Sequence, residues 1–137
     1  MSAPIIRLRA ALLVCALAGC GGSSGTPGTS PPPPPPPPPL PPPVASATVE
    51  VRNNFFTPES VVLMAGGQVT WSWTGSGHSV TSVLTPGFTP SAPVSNAPFT
   101  HGPIVFSAPG TYQYICTVHG AVANGQTTGM RGEVIVQ

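Results

Sequence analysis

Four side chains with soft or borderline donor atoms stand at the ends of alternating, apolar segments of this sequence. Cys116 ends one such segment and His119 follows it after two residues, while His78 opens another segment earlier in the chain. Met130 stands just before the last apolar segment. Thiolate and thioether sulfur stabilise Cu(I), and imidazole suits both oxidation states of copper. The pattern therefore predicts a mononuclear copper site with Met130 as a weak axial ligand.

Taken singly, each of these side chains has an ordinary interpretation. A lone His119 fits an exposed surface, a lone Cys116 fits a small buried apolar position, and a lone Met130 fits a core. Their joint occurrence in this order favours the metal site. His101 lies in a proline-rich stretch without a motif partner, and we expect it to be exposed to solvent. The large aromatic residues expected to pack in the core are Trp71, Trp73, Tyr112 and Tyr114.

The segments that carry these residues alternate between apolar and polar positions, as in residues 69–73 and 112–116. Such alternation is typical of half-buried β-strands, and no apolar repeat of helical period is present. About seven to eight short strands separated by glycine and proline turns predict an all-β sandwich. We expect a turn at Gly66-Gly67 and a long irregular excursion over residues 85–103.

Composition excludes some functions. The chain has 137 residues, of which only 5% are charged, and it contains 21 prolines. That length allows at most one ordinary domain. Without a basic surface the protein has no means of neutralising phosphates, so nucleic acid is not an expected partner.

The first residues are typical of an export signal. Arg7 and Arg9 precede a short apolar run over residues 10–18, which is too short to span a membrane. The segment that ends at Cys20 resembles a bacterial lipobox, which implies cleavage after residue 19 and lipidation of Cys20. The alternative is an ordinary signal peptide with a chance cysteine. Lipidation predicts an exported protein anchored in the cell envelope, facing the periplasm or the cell surface, and at the outer membrane where two membranes exist.

Residues 20–44 form a spacer between the anchor and the domain. Residues 31–43 are prolines interrupted only by Leu40, which predicts a polyproline II rod of roughly 40 Å. A proline-rich ligand for an SH3-type domain and a segment that binds the cell wall are the alternatives. Cys15 would leave with the signal and Cys20 would carry lipid, so Cys116 would be the one free thiol. A single thiol in an oxidising compartment suggests metal ligation.

Residues 45–137 resemble a cupredoxin of the plastocyanin and azurin family. The resemblance implies a Greek-key β-sandwich, one type 1 copper ion and one-electron transfer as the activity, with the His78, Cys116, His119 and Met130 ligand set. The matching segments, in family order, are Val49-x-Val51-x-Asn53-x-Phe55-x-x-Pro58, Gly67-x-Val69-x-Trp71, Gly77-His78-Ser79-Val80, Pro109-Gly110-Thr111-Tyr112-x-Tyr114-x-Cys116-x-x-His119-Gly120 and Met130-x-Gly132-x-Val134-x-Val136.

The sequence departs from the family pattern in two places. The segment between His119 and Met130, residues 120–129, is longer than relatives commonly have, and we expect it to bulge out and return. Its Gln126 is an alternative axial ligand, and a site of three ligands is a further alternative. Ser79 stands where plastocyanins and azurins have asparagine. The resemblance implies that Ser79 bonds to Thr117 and that the Gly77 carbonyl lies near the metal.

The resemblance also implies a monomer that passes electrons through His119 to a redox partner protein. The apolar residues after His119 would surround that exit, and low charge would leave docking mainly hydrophobic. A copper carrier or buffer with the same ligands is the alternative, and an apo sandwich used for adhesion is a third. An enzyme is not expected, because the ligand set leaves no open substrate position and no acid and base pair accompanies it.

Overall fold

The computed structural model describes residues 33–89 and 91–137. The predicted signal peptide, Cys20 and most of the spacer lie outside the described residues. Residues 33–43 are exposed and have no regular secondary structure. The residues from Pro37 to Gln137 form one compact unit. None of the described residues belongs to a helix with the length and apolar character needed to span a bilayer.

The described residues confirm an all-β fold of eight strands. Buried and half-buried side chains alternate along the strands, as in the last four residues of the third strand and of the eighth. Their bounds are β1 Val44–Arg52, β2 Phe55–Thr57, β3 Ser60–Trp73, β4 Ser76–Val83, β5 Ala92–Asn96, β6 Phe99–Phe106, β7 Gly110–Ala123 and β8 Gln126–Val136.

The long strand β3 belongs to both layers of the sandwich. Its first residues, Ser60–Leu63, pair in parallel with β8, which continues through β7 and β4 to β5. Its later residues pair in parallel with β1 and antiparallel with β6. The chain changes partner at Gly66 and Gly67, where Gly66 has a φ of 84°. The expected turn at this point is therefore wrong, since the glycines bend a continuous strand instead.

An aromatic core fills the space between the layers. Trp71 and Tyr114 are fully buried, and their rings meet edge to face at 5.4 Å. Phe56 packs edge-on against Tyr114 at 4.9 Å. Such arrangements are favourable for aromatic pairs beyond the area they bury. All four aromatic residues predicted for the core are buried: Trp71, Trp73, Tyr112 and Tyr114.

Residues 85–103 are more regular than predicted, because they contain all of β5 and the first five residues of β6. The prolines in this stretch predicted irregular structure, but edge strands accept proline. His101 lies on β6 opposite Trp71, with the ring centres 6.0 Å apart. It is half-buried rather than solvent-exposed, which corrects the prediction for this residue.

Residues 120–129 also differ from the expected bulging loop. β7 and β8 continue through them as an antiparallel ladder, from the Gly120–Gly129 pair to the Ala123–Gln126 pair. Asn124 and Gly125 close the hairpin with positive φ angles of 52° and 73°. An Asn-Gly pair between two strands is a strong signal for such a turn. The sequence therefore contained the information that this segment is a hairpin.

Candidate metal centre

Three of the predicted ligands come together at one end of the sandwich. His78, on β4, and Cys116, on β7, are buried, whereas His119 is exposed. The Cys116 Sγ atom lies 3.8 Å from His78 Nδ1 and 3.5 Å from His119 Nδ1. The two Nδ1 atoms are 3.1 Å apart. Among the described residues, this is the one group of three or more His, Cys, Asp or Glu side chains close enough to share a metal ion.

The spacing of these three atoms suits a metal ion. The point that lies in the plane of the three atoms and is equidistant from them is about 2.0 Å from each. This distance is close to metal–nitrogen bond lengths of ~2.0–2.1 Å and somewhat shorter than metal–sulfur bond lengths of ~2.3 Å. Both imidazoles direct the same ring atom, Nδ1, toward that point. The donors therefore fit a single ion with a modest outward shift of the sulfur.

A bulge in the β7–β8 ladder creates this arrangement. Ile115 pairs with Arg131 and Gly120 pairs with Gly129, so residues 116–119 stand opposite the single residue Met130. The three extra residues on β7 turn the Cys116 and His119 side chains toward each other. Met130 is buried in the core cluster that also contains Cys116.

Two glycines let the chain close tightly behind the bulge. A Cβ on Gly129 would collide with the His119 carbonyl oxygen, and one on Gly120 would lie 2.6 Å from the Met130 carbonyl oxygen. Larger residues at either position would push the two strands apart. The glycines that flank Met130 and His119 therefore belong to the site as much as the ligands do.

Gln126, the alternative axial ligand, lies elsewhere. It is exposed at the far end of the hairpin, three ladder pairs beyond Gly120–Gly129. At ~3.4 Å per residue, that separation is roughly 10 Å. Met130, buried directly opposite the bulge, is the better placed of the two candidates.

Ser79 joins the two strands that carry the ligands. Its Oγ accepts a hydrogen bond from the Thr117 N–H at 2.9 Å and lies 3.1 Å from Thr117 Oγ1. Ser79 is buried, so these contacts are shielded from water. Because Ser79 follows His78 and Thr117 follows Cys116, this contact fixes the spacing between two ligands.

Gly77 shapes the approach to His78. It has a φ of 76°, a conformation that favours glycine, and a Cβ there would meet no atom within 4 Å. Its N–H donates to Asn96 Oδ1 at 2.8 Å. The glycine therefore permits the bend at the start of β4, and Asn96 of β5 holds it by this hydrogen bond.

Two residues that the sequence interpretation missed hold His78. Asn53 Oδ1 lies 3.4 Å from His78 Nε2, and the Trp73 indole N–H donates to the His78 carbonyl at 2.8 Å. In the sequence, Asn53 belongs to a segment that resembles cupredoxins and Trp73 belongs to the predicted core. The adjacent Asn53-Asn54 turn signal marked a bend, but nothing in the spacing indicated which ring atom the bend would reach.

The surroundings of His78 favour its neutral form. Burial lowers the pKa of His78 from its usual value, and His119 lowers it further. An acceptor beside Nε2 favours the tautomer with the proton on Nε2, which leaves the Nδ1 lone pair free. Neutral imidazole with a free Nδ1 is the form that binds a metal ion.

Known proteins of similar structure decide the fold. No protein-family model and no curated protein matches the sequence. A purple cupredoxin from Nitrosopumilus maritimus matches 66% of this chain and 99% of its own, at 21% identity and a TM-score of 0.52. A Sinorhizobium pseudoazurin matches 67% of this chain and 73% of its own, at 24% identity and a TM-score of 0.50. The chain has the cupredoxin fold.

An enzyme contains a similar cupredoxin fold. A copper-containing nitrite reductase from Thermus scotoductus SA-01 matches 72% of this chain at 24% identity and a TM-score of 0.53. The chain spans only 23% of that protein's length. The likeness therefore concerns one cupredoxin unit and not the whole reductase.

Within the cupredoxin fold, the His78, Cys116 and His119 cluster suits one copper ion. Thiolate is a soft ligand that selects Cu(I), and two imidazoles tolerate Cu(II) as well. The donor types and their spacing thus agree on the same metal.

Proposed function

We propose that this cupredoxin is a one-electron carrier with a single type 1 copper ion, held at the cell envelope by a lipid anchor. The observation that carries the proposal is the triangle of Cys116 Sγ, His78 Nδ1 and His119 Nδ1, with sides of 3.1–3.8 Å. Copper bound there would supply a reversible one-electron couple between Cu(II) and Cu(I).

The chain's own contribution is to hold the donors nearly still in both oxidation states. The Cys116 thiolate and the two imidazoles would hold the ion from strands that Ser79 and Thr117 join by hydrogen bonds. Burial of His78, Cys116 and Met130 keeps water away from most of the site. Fixed donors and little water keep the reorganisation that accompanies electron transfer small. Met130, in preference to Gln126, would hold the copper as a fourth, weak ligand.

His119 is the proposed exit for the electron, because it is the exposed member of the cluster. Val118 beside it is 57% exposed, and Val122 on the adjoining hairpin is 41% exposed. This surface would dock a redox partner protein by apolar contact. Electron transfer between separate proteins also requires only brief association, which suits a small apolar surface with few charges.

The anchor and the spacer complete the proposal. Lipid on Cys20 would hold the protein at the membrane, and the proline-rich residues would extend the cupredoxin from it. Tethering would confine the carrier to the envelope and raise its effective concentration near membrane-bound partners.

An absorption and EPR spectrum of the copper-loaded protein tests the electron-carrier proposal. We expect an intense thiolate-to-copper band in the visible range that disappears in Cys116→Ser. Cys20→Ser, which removes the other cysteine of the predicted mature chain, is the matched control and should keep the band. A copper-loaded protein without the band would overturn the proposal.

Two rates measured on the copper-loaded protein distinguish an electron carrier from a copper buffer. A carrier should release copper slowly and exchange electrons rapidly with a second copy of itself. Rapid copper release with slow electron exchange would favour the buffer. The axial ligand is tested by comparing Met130→Leu, which should alter the spectrum, with Gln126→Leu, which should not.

The anchor needs its own test. Expression of the full chain in a bacterium with labelled fatty acid should label the wild type and leave Cys20→Ser unlabelled. Label in both proteins, or in neither, would contradict lipidation at Cys20.

A further inference from the structure

His78 lies at an irregular point of its sheet. β4 pairs with β5 through Ser76, His78 and Val80, and the register shifts on both sides of His78. A regular antiparallel ladder would bond backbone N–H and C=O groups to the partner strand at alternate residues. A register shift interrupts these hydrogen bonds. Other contacts must therefore fix the backbone of this ligand.

The indole of Trp73 makes such a contact. Its Nε1–H donates to the His78 carbonyl at 2.8 Å, and both residues are almost fully buried, at 3% and 2% exposure. The distance is that of a well-formed hydrogen bond. Since water cannot reach the carbonyl, loss of the indole N–H would leave it without its donor, at a substantial cost.

Trp73 is itself firmly held. Its backbone pairs with Val51 on one side and with Phe99 on the other. Its ring packs edge to face against Phe99, with the ring centres 4.9 Å apart. The donor therefore comes from the middle of the packed layer, and the ligand to which it bonds comes from an irregular edge.

We propose that Trp73 is a positioning residue of the metal centre, which sets the place of His78 through its carbonyl. This inference rests on the proposed function, because it concerns the same ligand cluster. Without the N–H, the segment from Ser76 to His78 relaxes and the His78 ring moves away from Cys116 and His119. The expected result is a weaker, more heterogeneous metal site in a protein that still folds.

Trp71 supplies a matched control. It lies two positions earlier on the same buried face and is also fully buried, but its Nε1 makes no hydrogen bond to a ligand residue. Trp73→Phe and Trp71→Phe therefore remove similar volume from the same strand. Only the first removes a hydrogen bond to a ligand.

The first experiment compares crystal structures of the two variants without metal. We expect His78 Nδ1 to move from its place near Cys116 Sγ in Trp73→Phe and to stay there in Trp71→Phe. The second experiment titrates both variants with Co(II) and Cu(II). Metal affinity should fall at least ~10-fold more in Trp73→Phe, the range typical for groups that orient ligands.

The two proposals fail in different ways. If His78 stays in place and affinity falls equally in both variants, Trp73 is not a positioning residue, whatever the wild type binds. If the wild type lacks the copper band but His78 still moves in Trp73→Phe, the electron-carrier proposal fails and the positioning role stands. Should Trp73→Phe not fold, benzothienylalanine at position 73 keeps the bicyclic shape and removes the N–H, and the same measurements decide.

Discussion

At the scale of single residues, the orientation of the ligand rings matters as much as the identity of the ligands. His78 is contacted at two points, at Nε2 by Asn53 and at its carbonyl by Trp73. Both contacts leave Nδ1 directed toward Cys116 and His119. Such outer contacts commonly tune metal affinity and electron distribution. Asn53 should therefore influence the copper potential without touching the metal.

Asn53→Asp tests this influence. A carboxylate beside the His78 ring would stabilise the more positive Cu(II) state, so we expect the reduction potential to fall. Because Asn53 is exposed, solvent should limit the effect to roughly 0.5 kcal/mol, or ~20 mV. Protein-film voltammetry measures the shift.

Asn54→Asp is the control for that prediction. It adds the same charge one residue later in the same turn, at a position whose φ of 68° aspartate also tolerates. Its shift should be smaller, because the contact with His78 Nε2 belongs to Asn53. Equal shifts would mean that the charge acts at long range and that the contact is irrelevant.

The sequence identifies two of the predicted ligands, but it does not identify the residues that hold His78. Cys116 and His119 could be assigned together because their spacing within one motif keeps them close in any fold. Asn53 and Trp73 could not be assigned, because their roles depend on the paths of two separate turns in three dimensions. Residue type and alternation say that Trp73 faces inward, but not what its N–H meets.

At the scale of elements, the β7–β8 pair forms most of the metal site. One of its pairs, Tyr114 with Gly132, also determines the packing of the core behind the site. A Cβ on Gly132 would overlap the Tyr114 ring, which lies directly over the glycine. The alternation of apolar and polar residues predicted both strands. It did not predict the register that places Tyr114 over Gly132, which is seen only in the structure.

Gly132→Ala should therefore destabilise the protein. Displacing the buried Tyr114 ring is an overpacking change, with an expected cost of about 2 kcal/mol in the free energy of unfolding. Urea unfolding followed by tryptophan fluorescence measures it. Gly125→Ala is the control: that glycine has a φ of 73° but open space around its Cβ position, so the cost should be about 1 kcal/mol. A larger loss in Gly125→Ala would refute the packing argument.

The hairpin beyond the site is held against the sheet by Arg131. Its Nη1 donates to the Thr127 carbonyl at 2.8 Å, and its Nε donates to Glu59 at 2.9 Å. Thr127 in turn donates to Gln113 at 3.1 Å. These contacts link the hairpin, β7 and the residue just before β3, and the same side chains line an open polar cleft of about 360 Å³.

Arg131→Gln should loosen the hairpin. We expect a loss of about 1 kcal/mol in unfolding free energy and faster amide hydrogen exchange over residues 121–128. Arg52→Gln is the matched control, because Arg52 is equally exposed and its ion pair within the described residues is with the nearby Glu50. It should cost less than ~0.5 kcal/mol and leave the hairpin's exchange unchanged. Similar exchange profiles in both variants would show that Arg131 does not hold the hairpin.

At the scale of the whole molecule, the described residues carry almost no net charge. They contain two arginines, Arg52 and Arg131, and three acids, Glu50, Glu59 and Glu133. Each arginine pairs with a glutamate. Long-range steering of a partner should therefore be weak, and composition alone already indicated this. The positions of the apolar side chains beside His119, the proposed electron exit, depend on the path of the hairpin, which only the structure shows.

Val118→Glu tests whether the surface around His119 is where electrons leave. In self-exchange between two copies, the new glutamates would face each other, so the rate at low salt should fall about tenfold and recover in part at high salt. Val105→Glu is the control, since Val105 is equally exposed at 57% but lies on β6 opposite Gln68. It should leave the rate nearly unchanged, as measured by NMR line broadening in mixtures of Cu(I) and Cu(II) protein. If both variants slow equally, the loss comes from overall charge, and electrons do not leave preferentially through the His119 surface.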